Sequence, residues 1–181
     1  MKVIGSVKED FEIEKRISIT PETVKKFVNL KFNVLLEKNY GEHLNITDKD
    51  FQNNGANFED LSKKVLEKAE IILKVNCPSK EEIELIKNNS ILIGQFDPYT
   101  NKEKINKLIK KNVKIFSLNL LPRITRAQSM DVLSSQANLA GYRAVIESVE
   151  EFAKAVPMMM TAAGTITPAK ILVIGAGVAG L

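Results

Sequence analysis

Short apolar runs and amphipathic stretches take turns along most of the chain. The runs are KVIGSV (2–7), FNVLLE (32–37), EIILKV (70–75), SILIGQ (90–95) and VKIFSL (113–118). They are too short and too rich in Val and Ile for helices, and they lack strict apolar–polar alternation. That combination predicts strands buried on both faces, as in a parallel sheet. Between them lie TPETVKKFVNL, TDKDFQNNG followed by FEDLSKKVLEKA, PSKEEIELIKN and NKEKINKLIKK. Each opens on, or soon after, a Ser, Thr, Asn or Pro suited to a helix start. A β-α repeat of this kind predicts an α/β fold, a Rossmann-like parallel sheet covered by helices, over residues 1–126.

The pattern then changes. Residues 1–119 hold 39 of the 48 charged side chains and residues 120–181 hold 9. A long helix is expected from about Gln128 to Ala155, roughly 40 Å at 1.5 Å per residue. With the loop Thr161–Pro168, it makes a connecting region over 127–169. From residue 170, AKILVIGAGVAGL reads as the first strand and turn of a second Rossmann domain, 170–181, truncated inside its phosphate loop. The helix and ribose-binding acid that normally follow such a turn lie outside the chain, so it is expected to bind a dinucleotide poorly alone. Residues 155–181 carry one charge, Lys170, but four glycines and two prolines. Those breaks would leave backbone groups unpaired in hydrocarbon, so no membrane span is predicted.

Composition narrows the chemistry. A 44% hydrophobic, 27% charged chain of 181 residues is an ordinary globular one, and a net charge of +4 is dispersed among interleaved lysines and glutamates. Basic clusters with interleaved aromatics are absent, so nucleic acid is not an expected partner. The start, MKVIGSVKED, reads as a strand and not as a signal peptide. Cys77 is the one cysteine and His43 the one histidine. Intramolecular disulfides are excluded, a reducing compartment is indicated, and neither a metal-ligand spacing nor a Cys–His nucleophile can be assembled. Cys77 reads as an inert strand-end thiol, His43 as a surface loop residue, and Met158–Met160 as packing between domains.

Two stretches remain. Gly175-Ala176-Gly177-Val178-Ala179-Gly180 follows the apolar KILVI directly. In a dinucleotide fold the first glycine permits the tight turn, the second lets backbone approach a pyrophosphate, and the third lets the next helix pack close. The second stretch, PRITRAQSMDVLSSQANLAGYR (122–143), follows a strand end. There Arg123 offers a planar fork of donors, Gln128 can donate and accept, Asp131 can pair with an arginine, and Ser134 lies one turn further along the same face. The same residues also suit a plain helix start with polar capping.

The run PRITRAQSMDVLSSQANLAGYRAV, joined to TAAGTITPAKILVIGAGVAGL, resembles the NAD(H)-binding component of proton-translocating transhydrogenase. KEDFEIEKRISITPETV and IILKVNCP are similar to the wider group this component shares with alanine dehydrogenase. The resemblance runs over essentially the whole chain. It implies two Rossmann-like domains flanking a cleft, NAD bound in the second, a homodimer, and hydride transfer between NADH and NADP⁺ coupled to proton translocation. NADP would sit on a partner component, the membrane-borne beta subunit, and the remainder of the alpha subunit would be a further partner. The place implied is cytoplasmic, peripheral to the inner membrane. Arg123, Gln128, Asp131 and Ser134 would hold the nicotinamide carboxamide and ribose, and Gly175, Ala176, Gly177, Val178 and Gly180 the pyrophosphate. No catalytic acid–base residue is implied. An alanine-dehydrogenase-like oxidoreductase is the alternative, with Arg16 and Lys74 holding an oxo-acid carboxylate. Asp97 stands where that reading needs a histidine. A non-catalytic fragment of a split subunit is a third reading.

Overall fold

The computed structural model describes Met1–Leu181. It divides into two compact units, Met1–Leu121 and Pro122–Leu181.

The first unit is a six-stranded, wholly parallel sheet. In chain order its strands are β1 (Val3–Ser6), β2 (Asn33–Glu37), β3 (Ala56–Glu59), β4 (Ile71–Leu73), β5 (Ile91–Gly94) and β6 (Lys114–Ser117). They lie side by side in the order β3-β2-β1-β4-β5-β6. β1 pairs β2 from Val3↔Asn33 to Ser6↔Leu36, and it pairs β4 at Ile4↔Ile71 and Gly5↔Ile72. The order reverses between β1 and β4, the point where open α/β sheets have their crevice. Five strands sit within the predicted runs. β3 is an addition to them: its four residues, ANFE, bury only Ala56, because it is an edge strand with one neighbour. A half-exposed four-residue strand leaves almost no apolar signature, and the stretch from Phe58 on reads in the sequence wholly as a helix.

The helices are α1 (Pro21–Asn29), α2 (Asp48–Gln52), α3 (Ser62–Lys68), α4 (Lys80–Leu85) and α5 (Lys102–Lys110). Their starts follow from local chemistry. Thr20 caps α1 by accepting from the Thr23 N–H, with Pro21 as first helical residue. Ser79 and Glu82 cap α4 reciprocally. Both mechanisms satisfy N–H groups that a helix end leaves free.

Helices cover both faces of the sheet, and adjacent strand residues feed opposite cores. On one side Ile4, Val24, Val34, Leu36, Tyr40 and Phe51 pack together. On the other Leu35, Val65, Leu66, Ile72, Leu92 and Leu108 do so. Val34, Leu35 and Leu36 are successive residues of β2, so the side-chain period of two is present even though every position is apolar.

A buried polar knot joins the two halves of the sheet at its carboxyl edge. Tyr40, 1% exposed, sets its hydroxyl 2.8 Å from Ser6 Oγ and 3.0 Å from Ser18 Oγ, and accepts the Ser18 N–H at 3.0 Å. Ser6 Oγ and Ser18 Oγ both donate to the Leu73 carbonyl, at 2.8 and 3.1 Å.

In the second unit, α6 spans Val132–Phe152, 21 residues, preceded by a 3-10 turn over Thr125–Met130. The helix is therefore shorter than the predicted 128–155, because Asp131 caps it and Ala153 ends it in the left-handed conformation at φ 53°. The expected loop Thr161–Pro168 is in part an antiparallel hairpin of β7 (Met159–Thr161) and β8 (Gly164–Ile166). Met158, Met159 and Met160 are exposed by 63%, 47% and 85%. Residues 170–174, expected as a strand, form no ladder. Ile171, Leu172, Val173 and Ile174 are exposed and no strand pairs with them, and a parallel strand exists only beside a neighbour.

Tyr40→Phe tests the knot. It leaves the part-buried Ser18 N–H without its acceptor, so a loss of about 1–3 kcal/mol is expected. In urea unfolding the midpoint should fall with the slope unchanged. An unshifted midpoint would remove the knot's structural role.

Candidate functional site

The PRITRAQSMD stretch folds into a turn that delivers the chain onto α6. Asp131 is the N-cap: Oδ1 accepts the Ser134 N–H at 3.0 Å and Oδ2 accepts the Ser134 hydroxyl at 2.6 Å. The two residues that the sequence places one turn apart are thus joined as a capping unit. Asp131 is held below its ordinary carboxylate range, first by the Ser134 hydroxyl, then by the Ser134 N–H, with a smaller pull from Arg123. Arg123 acts on Asp131 through its field, and no Arg123–Asp131 ion pair is formed. Arg123 and Gln128 are exposed, while Ala127 between them is buried.

The glycine stretch forms a tight turn despite the missing strand. Gly175 has φ +108°, a left-handed value that favours glycine. The Gly180 and Leu181 N–H groups both bond the Gly177 carbonyl, at 3.0 and 3.1 Å, so the turn enters a helical course. At Gly177 the space a side chain would take is open, with no atom within 4 Å. A pyrophosphate approaching backbone N–H groups needs such an open face, so the residues present fit the group. Ala176 and Val178 lie exposed within this turn.

Sequence reasoning does not single out Gly141. A Cβ there would lie 2.1 Å from the Ala179 carbonyl oxygen, so α6 and the glycine turn touch at this residue. An isolated glycine inside a helical pattern is the signal available for it.

Residues of the first unit that the alternative reading would use are all committed elsewhere. Lys74, after β4, is 2.7 Å from Glu82 Oε1 and 3.6 Å from Glu9 Oε2. Lys74 and Glu9 are 4% and 6% exposed, and Glu9 also accepts the Val75 N–H at 2.7 Å. Burial pushes the Glu9 carboxyl up, against the opposing pull of Lys74. Arg16 grips Glu14 through Nε and Nη2, at 2.8 and 2.7 Å, and Glu14 is correspondingly held down. Asp97 adopts φ +40° and closes a turn: Oδ2 accepts the Thr100 hydroxyl at 2.6 Å, and its carbonyl accepts the Thr100 and Asn101 N–H groups.

His43 is not a free surface residue. Its ring stacks on Phe11 with centroids 3.9 Å apart, and Nε2 is 2.8 Å from the Lys15 carbonyl, which requires Nε2 to carry the proton. Cys77 is half-buried, and burial pushes its thiol up, away from the reactive thiolate. No helix is long and apolar enough to cross a membrane.

A family model described as alanine dehydrogenase/PNT, N-terminal domain, matches residues 5–140, and its C-terminal counterpart matches 144–181. A relative from Rhodospirillum rubrum, named as the first part of NAD(P) transhydrogenase subunit alpha, is 46% identical over 173 residues, covering 93% of this chain and 45% of that protein. The crystal structure of transhydrogenase from Sinorhizobium meliloti superposes with a TM-score of 0.93 at 45% identity, over 99% of this chain and 53% of that one. An L-alanine dehydrogenase structure superposes at 0.81 with 22% identity, over 98% and 49%, which establishes a shared fold. The chain spans about half the length of the relatives it matches.

A capping carboxylate held below its ordinary range stabilises α6 above the unfolded-state pKa, and that contribution is lost as pH falls through the lower, folded value. Carboxyl carbon NMR should therefore give Asp131 a midpoint below that of an unstructured Asp. Ser134→Ala should bring it back toward the ordinary value. An ordinary midpoint in the unaltered protein would contradict the capping geometry.

Proposed function

The chain belongs to the alanine dehydrogenase/PNT family, and from that premise we propose that it supplies the NAD(H) side of a proton-translocating NAD(P) transhydrogenase. The observation that carries this is the arrangement on α6. Its N-terminus holds the Asp131–Ser134 unit with Arg123 and Gln128 exposed just before it, and its middle meets the glycine turn.

The site needs no acid–base group. A bound nicotinamide supplies the hydride carrier, and the protein's role is to orient it. Arg123 has a fork of donors for the carboxamide oxygen, and Gln128 can donate and accept at the same group. Asp131, kept ionised and fixed by Ser134, is an acceptor for a ribose hydroxyl. The backbone from Gly175 to Gly180, with Ala176 and Val178, would take the pyrophosphate. NAD is the cofactor on this chain. NADP, the beta subunit, the remainder of the alpha subunit and a second copy complete the assembly, with this chain peripheral to the membrane on its cytoplasmic face.

The alanine-dehydrogenase-like reading fares worse on the same structure. Lys74 is neutralised by two carboxylates and Arg16 by Glu14. An oxo-acid would have to displace them, and Asp97 adds another anion.

In the complete assembly, Arg123→Ala and Gln128→Ala should each lower hydride transfer from NADH to NADP⁺ by about tenfold or more, the loss of roughly 1.4 kcal/mol of orientation. Both side chains are exposed, so the thermal midpoint should barely move. Unchanged transfer in both variants would sink the role given to this turn.

A further inference from the structure

α6 contains a glycine where helix formation would prefer almost any other residue. Gly141 sits near the middle of the helix, followed by the exposed Tyr142. A Cβ built there would fall 2.1 Å from the Ala179 carbonyl oxygen, 2.9 Å from its carbonyl carbon and 3.1 Å from its Cα. All three are main-chain atoms, so no side-chain rotation relieves the overlap. The turn has internal bonds of its own. Its Gly177 carbonyl is bonded by the Gly180 and Leu181 N–H groups, and a Cβ at Gly180 would lie 2.2 Å from the Gly175 carbonyl oxygen.

We propose that Gly141 is a positioning residue for the dinucleotide: by carrying no side chain it lets α6 seat the glycine turn at hydrogen-bonding distance from the pyrophosphate. The inference rests on the dinucleotide reading given above. Real Cβ contacts do not fall under 3.0 Å, so a methyl group at 141 must push the turn out by about 1 Å. Phosphate bonds to backbone N–H tolerate a donor–acceptor window of only about 0.5 Å, so a displacement of that size breaks them. The same helix carries the Asp131–Ser134 unit about 15 Å away along its axis, ten residues at 1.5 Å each. Gly141 thus sets the offset between the group that holds the nicotinamide end and the group that holds the phosphates.

The helix and the turn should respond to Gly141→Ala in opposite directions, and this separates positioning from general stability. In the complete alpha subunit, ¹⁵N-labelled at glycine and leucine and titrated with NADH, the unaltered protein should show shifts at Gly175, Gly177 and Gly180. Gly141→Ala should displace the Gly177, Gly180 and Leu181 signals before any NADH is added. It should weaken NADH at least tenfold while helix content by circular dichroism is kept or raised. Leu139→Ala, an exposed change on the same helix, should leave those signals and the affinity in place. Equal NADH affinity in the unaltered and Gly141→Ala proteins overturns this inference and leaves the dinucleotide reading standing. No NADH-dependent shift at the turn in the unaltered protein overturns both. The contact is also read without any variant, as a nuclear Overhauser effect between the Gly141 α-protons and Ala179, and its absence overturns the proposal even if Gly141→Ala fails to fold.

Discussion

A parallel sheet buried on both faces imposes one demand on the rest of the first unit: the polar groups at its carboxyl edge must be satisfied from within. Tyr40, Ser6, Ser18 and the Leu73 carbonyl meet that demand as a closed set, and Glu9, Lys74 and Glu82 meet it with charge. An unpaired group in either set would cost on the order of 1–3 kcal/mol, comparable to removing a core methyl pair. The loop between β1 and α1 consequently has no freedom to drift. Ser18 is tied to Tyr40, Arg16 to Glu14, and the Lys15 carbonyl to His43. The crevice at the strand-order reversal, where a ligand would lie in many doubly wound sheets, is bordered by these bonded groups.

At this edge the cationic side chains are balanced by the chain's own carboxylates. Residue types that could bind an anion are present at Arg16 and Lys74, yet each already has a carboxylate within 2.7 Å. Identity of residue type is visible in the sequence, whereas commitment to a partner is not. Glu9 lies 65 positions from Lys74, and nothing in local spacing relates them.

Legibility follows the range of the forces involved. Five strands and most helix starts can be read because burial on two faces and capping are local matters: Thr20 before Pro21, Ser79 before Glu82. β3 escapes because an edge strand with an exposed Asn57 and a half-buried, ion-paired Glu59 lacks the apolar signal. Residues 170–174 mislead in the other direction, since apolar β-formers state a preference that only a neighbouring strand can realise. At the candidate site, Asp131 and Ser134 are legible as a spaced pair and their capping bonds follow. The seat at Gly141 is not, because a missing side chain acquires meaning only when the atom it would strike is known.

The strand order also has a kinetic meaning. Every neighbouring pair but one joins residues 20 to 30 apart in the chain, as in Ile71↔Ile91 and Ile4↔Val34. The exception is β1 beside β4, where Ile4 meets Ile71 across 67 residues. Loop-closure entropy rises by about 0.6 kcal/mol for each doubling of length, so β1-β2-β3 and β4-β5-β6 can each assemble before the central seam closes. The seam is also where the Tyr40 knot and the Glu9–Lys74 pair lie, so its contacts are late in folding. Damage at these positions will show itself chiefly in how fast the native state opens, and much less in how fast it forms.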